Sequence, residues 1–405
     1  MSAKPAVLES TLAPFVTKGL RVSVQGSYLL LHDVPVVDDK RQLRLGTLIA
    51  TIVYTDSQIS PPATHQVWFD GPFPCFADGT ALEQLRHSDV AGGFIAEEVP
   101  GKYFFSNKDE GWNGYATHFD QLMHYWRIIT DQARVIDPQC TQPLAAGSAQ
   151  VEARKSPFRY PDAASARGRF EMASQKLAKL RIAIVGLGGT GSYVLDQVAK
   201  TPVNEIHLFD GDKFEIHNAF RAPSAAQESA FGKMKVAYFR DLYDAMHTGI
   251  VAHETYLTEV NVGLLCQYDF VFVCIDKGSP RKLICSHLID CGIAFVDCGM
   301  DMSLSTNDQI YGTCRVTMAR QGMSQHFFER APTMEDAGDG LYDQNIQIAD
   351  ANALNGILAV MRWKQHFGFY AMNWDWHQME FVTNTMTLVR SEKSEGGHET
   401  PSDNA

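Results

Sequence analysis

The sequence predicts an α/β protein: a mainly parallel, doubly wound sheet with antiparallel strands at its edge, preceded by an α+β domain. Three observations lead there. The stretch RIAIVGLGGTGSYVLDQVAK, Arg181 to Lys200, reads as a buried strand, a glycine-rich turn and a helix. Beyond it, strand and helix patterns alternate, with EIHLFD, YDFVFVCID and IAFVDCGM as further strands, and such alternation builds a parallel sheet. Before about residue 145 the texture is different, with short or alternating apolar runs punctuated by Pro and Gly.

In chain order, GLRVSVQGSYLLLHDVPVV and RLGTLIATIVY are β-rich, and THQVWFDGPFPCFADGT reads as strand and turn. YATHFDQLMHYWRIITDQARVI carries apolar residues at helical spacing. These make an α+β domain over 1–145. Small and polar residues in DPQCTQPLAAGSAQVEARKSP place a linker at 146–164. The α/β domain occupies 165–390. Within it, residues 302–320 read as an antiparallel pair turned at STNDQ, then a helix around IQIADANALNGILAVMRWKQHF, then one or two strands. The polar tail 391–405 is expected to be disordered.

Composition narrows the function. The 405 residues are 45% hydrophobic and 20% charged, ordinary for a globular chain. The net charge of -12 argues against a general nucleic-acid binder, which needs a basic face to release counterions. MSAKPAVLESTLAPF lacks a secretory apolar core, and no apolar run approaches the ~20 residues of a membrane span. The expectation is a cytoplasmic protein with no membrane partner. Eight cysteines are scattered without a Cys-x-x-Cys pair, so neither disulfides nor a structural zinc site are expected.

The chemistry starts at the turn. Gly186, Gly188 and Gly191 form G-x-G-x-x-G directly after IAIV, and Gly189 adds a fourth glycine. A Cβ there would keep the backbone from a phosphate or the helix from the sheet, and the helix start offers free N–H groups. The bland alternative is a tight βα turn with no ligand. No Gly-Lys-Ser/Thr closes the turn, so it is not a Walker A loop. Asp210, ending EIHLFD, is the acidic residue placed for a ribose. This leaves NAD(P), FAD or ATP.

DGDKFEIHNAFR favours ATP. Asp210 and Asp212 are followed by Asn218 and Arg221, and a second carboxylate and a cation behind the ribose site suit a triphosphate with a metal. FGKMKVAYF follows on an amphipathic helix. Lys233 and Lys235 lie on different faces, with Lys235 the better inward candidate; a solvated helix lysine is the plain reading. Asp276 ends YDFVFVCID, and ligands in open α/β sheets sit beyond the carboxyl ends of strands. A carboxylate facing phosphates needs a cation between, so Asp276 is assigned to Mg²⁺, against the alternative of a helix N-cap.

The ordered set G-x-G-G-x-G-S, D-x-D, N-x-x-R, G-K-x-K and strand-Asp, over roughly 165–390, resembles the ThiF/MoeB-type adenylyltransferases, bacterial relatives of the ubiquitin-activating enzymes. The resemblance implies a Rossmann-like domain that uses Mg·ATP to adenylate the C-terminal carboxylate of a ubiquitin-like or sulfur-carrier protein or peptide. It implies that Gly186, Gly188, Gly189 and Gly191 line the nucleotide pocket and Asp210 holds ribose. Asn218, Arg221 and Lys235 then bind the triphosphate, Asp276 helps place Mg²⁺, and Arg221, Lys235 and Asp276 form the catalytic set. A homodimer is implied too, with Arg159, Arg167 or Arg169 as candidates to reach the partner's nucleotide. The N-terminal domain is expected to bind a partner or to be a conjugating-enzyme-like fold, with core packing the plain reading of its aromatic HQVWF and Trp112. The competing readings are an NAD(P)-dependent oxidoreductase and a non-catalytic nucleotide-binding scaffold.

Three departures stand out. Ala222 and Pro223 follow Arg221 where the family often has Gln, and the family's zinc Cys-x-x-Cys pairs are missing. No cysteine follows Cys314, so the crossover QGMSQHFFERAPTMEDAGDGLY has no thiol for a thioester. Cys75, in GPFPCFADG, is the outside candidate for that part; the strand and helix cysteines read as core.

Overall fold

Alternation of buried residues to two faces organises both sheets. The computed structural model describes residues 5–54, 58–96, 99–108, 112–142, 147–152, 156–160, 162–168, 170–330 and 346–392. The chain divides into two units, Met1–Gln175 and Lys176–Ala405.

The first unit opens with a helix that the sequence patterns did not flag, α1 (Pro5–Thr17). Its strands are β1 (Arg21–Gln25), β2 (Tyr28–Val37), β3 (Leu43–Thr51), β4 (Val67–Asp70), β5 (Arg86–Asp89), β6 (Phe94–Ala96), β7 (Val99–Pro100) and β8 (Tyr103–Phe105). Helix α2 (His118–Ile136) follows, then β9 (Ser148–Glu152) and the short helices α3 (Ala163–Gly168) and α4 (Glu171–Gln175). The main sheet has the order β5-β8-β4-β3-β2-β1-β9, and β6 pairs with β7 apart from it. All pairings are antiparallel except β1 with β9. Helix α2 starts at a capping box, where Thr117 and Asp120 each accept from the other's backbone. Its Leu122, Tyr125 and Ile129 join Phe15, Leu29, Leu31, Leu48, Phe69 and Phe105 in one core.

The second unit carries an eight-stranded sheet. Its elements are β10 (Arg181–Val185), α5 (Gly189–Val198), β11 (Glu205–Phe209), α6 (Ile216–Ala219), α7 (Lys235–Asp244), β12 (Ile250–His253) and β13 (Phe270–Val273). They continue with α8 (Gly278–Asp290), β14 (Phe295–Leu304), β15 (Ile310–Ala319), α9 (Phe327–Arg330), α10 (Ala349–His366), β16 (Trp376–Val382) and β17 (Thr387–Glu392). Sheet order is β12-β11-β10-β13-β14-β15-β16-β17. The first five run parallel and the last three join antiparallel, so the predicted α/β class and its α+β neighbour are what the molecule has. Ile182, Ile184, Phe270 and Phe272 pack on one face with Val194, Phe239 and Trp363. Ala183, Val185, Val271 and Val273 pack on the other with Ile284 and Leu288. Burial on both faces is why these strands read as unbroken apolar runs.

Several expectations need correction. The expected linker includes β9, because SAQVE pairs in parallel with β1 from Arg21↔Ser148 to Gln25↔Glu152. The antiparallel hairpin does not begin at 302: β14 runs unbroken from Phe295 to Leu304 and turns through Ser305–Gln309. Strand β12, IVAH, was not anticipated, being short and bounded by polar residues. The cysteines are not all unpaired. Cys266 and Cys291 are joined by a disulfide across a separation of 25 residues. A 3₁₀ turn (Val262–Gln267) and the end of α8 bring them together, a meeting that no local spacing signals. The crossover residues 331–345 and the tail beyond 392 lie outside the described residues. Among the described residues no helix is long and apolar enough to cross a membrane.

Candidate active site

Sheet order decides where the sequence motifs meet. Strand β10 lies between β11 and β13, so the segments after all three open at one rim. Hydrogen bonds lock that rim: Gly186 N–H donates to the Phe209 carbonyl at 2.8 Å, and Cys274 N–H donates to the Val185 carbonyl at 2.8 Å. This is the switch point of a doubly wound sheet, where chain connections leave in opposite directions and a crevice forms.

The glycines have different jobs. Gly186 sits at φ +88°, and a Cβ there would lie 2.6 Å from the Cys274 carbonyl. A Cβ on Gly191 would overlap the Gly186 carbonyl, and one on Gly189 would overlap the Asn352 amide. Gly188, by contrast, would meet nothing within 4 Å. It is the N-cap of α5, with no side-chain cap. Three glycines therefore close the turn against protein, while Gly188 leaves its outer face open beside the first-turn N–H groups of a ten-residue helix.

Asp210 is buried, and its carboxylate accepts the Leu187 N–H at 2.6 Å and the Asp212 N–H at 2.8 Å. It thus pins the glycine turn to the end of β11. Burial pushes its carboxyl up, with Lys235 and these N–H bonds acting against that. Lys235, the first residue of α7, is buried. Its Nζ donates to Asp212 at 2.8 Å and lies 3.9 Å from Asp210. Lys233 is exposed in the turn before the helix, so the two lysines do not share a helix as the pattern suggested. Partial burial raises the Asp212 carboxyl, yet hydrogen bonds from Lys235 and Tyr256 and the charge of Lys277 hold it below its ordinary value.

Asn218 and Arg221 lie in and just past α6, the short helix that follows β11. The Arg221 N–H donates to the Asn218 carbonyl at 3.2 Å. Asn218 Oδ1 accepts from the Glu215 N–H at 2.8 Å, while its Nδ2 is buried without a partner. Arg221 Nε is likewise buried without a partner. Desolvation pulls the Arg221 guanidinium down, and the nearby Asp276 carboxylate offsets it. Asp276 itself is exposed, three residues past β13. A buried donor with no acceptor costs about 1–3 kcal/mol. Unmatched donors recur in this unit at Arg362 Nε and Trp363 Nε1, but the pair at Asn218 and Arg221 lies near Asp276, beyond the strand ends, where an acceptor-rich ligand can meet it. Phosphate oxygens supply that, and the open face of Gly188 gives them room. The residues present fit a nucleoside triphosphate.

Four contributors escaped the sequence reading. Asn352 on α10 accepts from the Thr190 hydroxyl at 2.9 Å and packs on Gly189. Gly356, one turn on, lets α10 close on α5: a Cβ there would lie 3.0 Å from Tyr193 Cβ. Tyr256 donates its hydroxyl to Asp212 and stacks on Gly211. Lys277 adds its charge beside Asp212. The double asparagine in NALNG was the available signal for α10; nothing near Tyr256 marks it. Ala222, which stands where the family often has Gln, packs on the core.

No free thiol is set up as a nucleophile among the described residues, where every free cysteine is buried or half-buried. Burial raises Cys75, with four nearby carboxylates adding to it, and pushes Cys314 up to about 11. A hydrogen bond with Cys274, and burial, raise Cys298. Trp112 is half-buried in the first unit, against His65. Arg167 lies in α3 and Arg159 precedes it, whereas Arg169 is outside the described residues.

Residues 164–351 match the ThiF family, and residues 10–163 match a domain of unknown function, DUF6791. A curated relative is ubiquitin-like modifier-activating enzyme 5 of Caenorhabditis elegans, 24% identical over 122 residues, 27% of this chain and 29% of the relative. The chain thus spans under a third of that relative's length. Among solved structures, E. coli MccB with MccA-N7isoASN is 15% identical over 56% of this chain and 71% of that one, at a TM-score of 0.44. E. coli TcdA, a tRNA N6-threonylcarbamoyladenosine dehydratase in complex with AMP, is 19% identical over 50% of this chain and 92% of that one, at 0.38.

Proposed function

Because residues 164–351 are a ThiF-family domain, we propose that this chain is an ATP- and Mg²⁺-dependent adenylyltransferase. Its acceptor is the C-terminal carboxylate of a ubiquitin-like or sulfur-carrier protein or peptide. The observation that carries the proposal is the pair of buried, unpartnered donors, Asn218 Nδ2 and Arg221 Nε, in the same crevice rim as an uncapped glycine turn.

The residue types suit the chemistry. An acceptor carboxylate attacks the α-phosphorus, an acyl-adenylate forms and pyrophosphate leaves. No protein nucleophile is needed, and the work is alignment and neutralisation of charge. Gly188 and the first turn of α5 receive phosphate oxygens, and Arg221 and Asn218 supply hydrogen bonds. Lys235 supplies a positive charge held by Asp212. Asp210 keeps the turn in shape and borders the ribose. Asp276 would hold the magnesium, which when bound neutralises phosphate charge. With no crossover cysteine and no exposed thiol among the described residues, the acyl-adenylate is handed on without a thioester on this chain. The active unit is a cytoplasmic homodimer, with the N-terminal unit receiving the protein acceptor or a conjugating-enzyme-like partner.

The test is a calorimetric titration with Mg·ATP and, separately, NAD(H), on the wild type and Asp276→Ala, followed by assay of pyrophosphate release with peptides ending in Gly. Mg·ATP binding that weakens in the variant, with release that depends on peptide, supports the proposal. NAD(H) binding in place of ATP makes the chain an oxidoreductase, and ATP binding without release for any acceptor makes it a scaffold.

A further inference from the structure

Cys266, His287 and Cys291 bring one ligand atom each to within 4.8 Å of one another, at a place the adenylation chemistry does not use. His287 Nε2 lies 3.2 Å from Cys266 Sγ and 3.6 Å from Cys291 Sγ. The two Cα atoms of the cysteines are 6.0 Å apart. The topology fixes where this is. Cys266 comes four residues before β13 and Cys291 four residues before β14, so the cluster sits at the amino rim of the parallel strands. Asp276 and Gly186 are at the opposite, carboxyl rim.

We propose that Cys266, His287 and Cys291 form a site for a soft divalent cation of the zinc class, filled when the Cys266–Cys291 disulfide is reduced. The donor set carries the argument. Two thiolates and an imidazole are what such cations select, with Zn–S of about 2.3 Å and Zn–N of about 2.0–2.1 Å. Tetrahedral angles at those lengths put a sulfur and a nitrogen roughly 3.5 Å apart. The two observed S···N distances already bracket that value, so only the sulfurs must separate. Cys266 is on a 3₁₀ turn and Cys291 follows the last turn of α8, both partly or fully open to solvent, and neither is buried in a strand.

The step balances as follows. A dithiol reductant gives two electrons and two protons, the Cys266–Cys291 bond breaks, and the reductant closes its own disulfide. The cation then displaces the two thiol protons into solvent, and His287 gives the Nε2 lone pair, keeping its proton on Nδ1. Three protein donors leave the fourth position to water or an outside ligand. Cys291 borders a cleft of about 280 Å³, with Ser324 and Arg320 on its wall, from which that ligand would arrive. The site ties the 3₁₀ turn to α8 in either state, by a covalent bond or by the metal.

The test uses the full chain. Reduced with a dithiol and then freed of it under anaerobic conditions, the protein is titrated with Co²⁺, and thiolate-to-cobalt charge-transfer absorption is read. The expected result is one Co²⁺ per chain, displaced by Zn²⁺, absent from the oxidised wild type, and at least tenfold weaker in His287→Gln. The double variant Cys266→Ser/Cys291→Ser shows none while keeping its far-ultraviolet circular dichroism. An equal band in the double variant or in the oxidised wild type, or no band in the reduced wild type, overturns the proposal. If the double variant does not fold, the oxidised and reduced wild type decide it. Mg·ATP binding is measured in parallel, so that loss of this site and loss of adenylation are told apart.

Discussion

The two sheets handle their buried polar groups differently. In the first unit, most buried polar groups on α2 close on the neighbouring backbone, though Gln121 Oε1 stays unmatched: His118 bonds the Thr51 carbonyl at 3.0 Å, and the Tyr125 hydroxyl donates to the His65 carbonyl at 2.8 Å. In the second unit, Asn218 Nδ2 and Arg221 Nε stay unmatched at a rim. Topology accounts for the contrast. Antiparallel hairpins send their turns to both ends of a sheet, whereas parallel strands deliver three separate segments to the same end. Unmatched atoms occur in the first unit as well, Gln25 Oε1 and Gln121 Oε1 among them; what distinguishes the second is that two donors of one short motif lie where parallel strands end and a ligand can complete them.

The sharpest way to break this contrast is Arg221→Ala. If the unmatched guanidinium serves a ligand, turnover should fall by about 10²–10³, or about 3–4 kcal/mol, with little change in melting temperature. A gain in stability with unchanged pyrophosphate release would mean that the donor is merely tolerated.

Acid sharpens it next. His366, half-buried on α10, is pushed down to about 4 by burial, with Arg362 and Arg320 adding to it. Its folded value lies below its unfolded one. The stability tied to the neutral ring is therefore whole above about pH 6.5 and is lost as pH falls from there through about 4. The loss is at most roughly 3 kcal/mol, and His366→Gln should flatten the urea midpoint of the second unit across that window. A slope that survives the substitution assigns the effect elsewhere.

A pair of glycines gives the finer contrast. Gly46, on β3, faces Phe69 so closely that a Cβ would overlap the ring. Gly46→Ala should destabilise the first unit by about 1–3 kcal/mol, read by denaturant melt, with Mg·ATP affinity unchanged. Gly188→Ala should do the reverse. Its open face and its place as the N-cap of α5 predict a stability loss of at most about 1 kcal/mol, yet calorimetry should show weaker nucleotide binding. Equal behaviour of the two variants would erase the distinction between a packing glycine and a binding one.

What the sequence disclosed follows from the same contrast. Strands β10, β11 and β13 read clearly because burial on both faces makes them unbroken apolar runs, and their loop residues followed at once. Asn352 and Tyr256 were hidden because they reach the crevice from 162 and 44 residues away from their partners Thr190 and Asp212. Lys235 was picked from its neighbour by the company it keeps, though its place at the start of α7 was not foreseen. The Cys266–Cys291 meeting depends on a 3₁₀ turn that no periodicity marks. In the first unit, α1 was missed since Pro14 interrupts its pattern. Strand β9 was missed since its five residues are short and mostly polar, and tertiary pairing alone makes them a strand.

That last strand bears on how the protein can be divided. Strand β1 is apolar at Val22 and Val24, both buried, and β9 lies along it with Ala149 and Val151 in register with those valines and Ser148 and Gln150 in register with Arg21 and Ser23. A fragment ended at residue 147 would strip this bordering strand away. It would bare a row of backbone donors and acceptors flanked by valines, a template for strand-to-strand assembly between molecules. A fragment carried past Glu152 keeps the border. The five residues that look like spacer in the sequence are thus the selvedge of the first sheet, and the place to separate the two units lies beyond them.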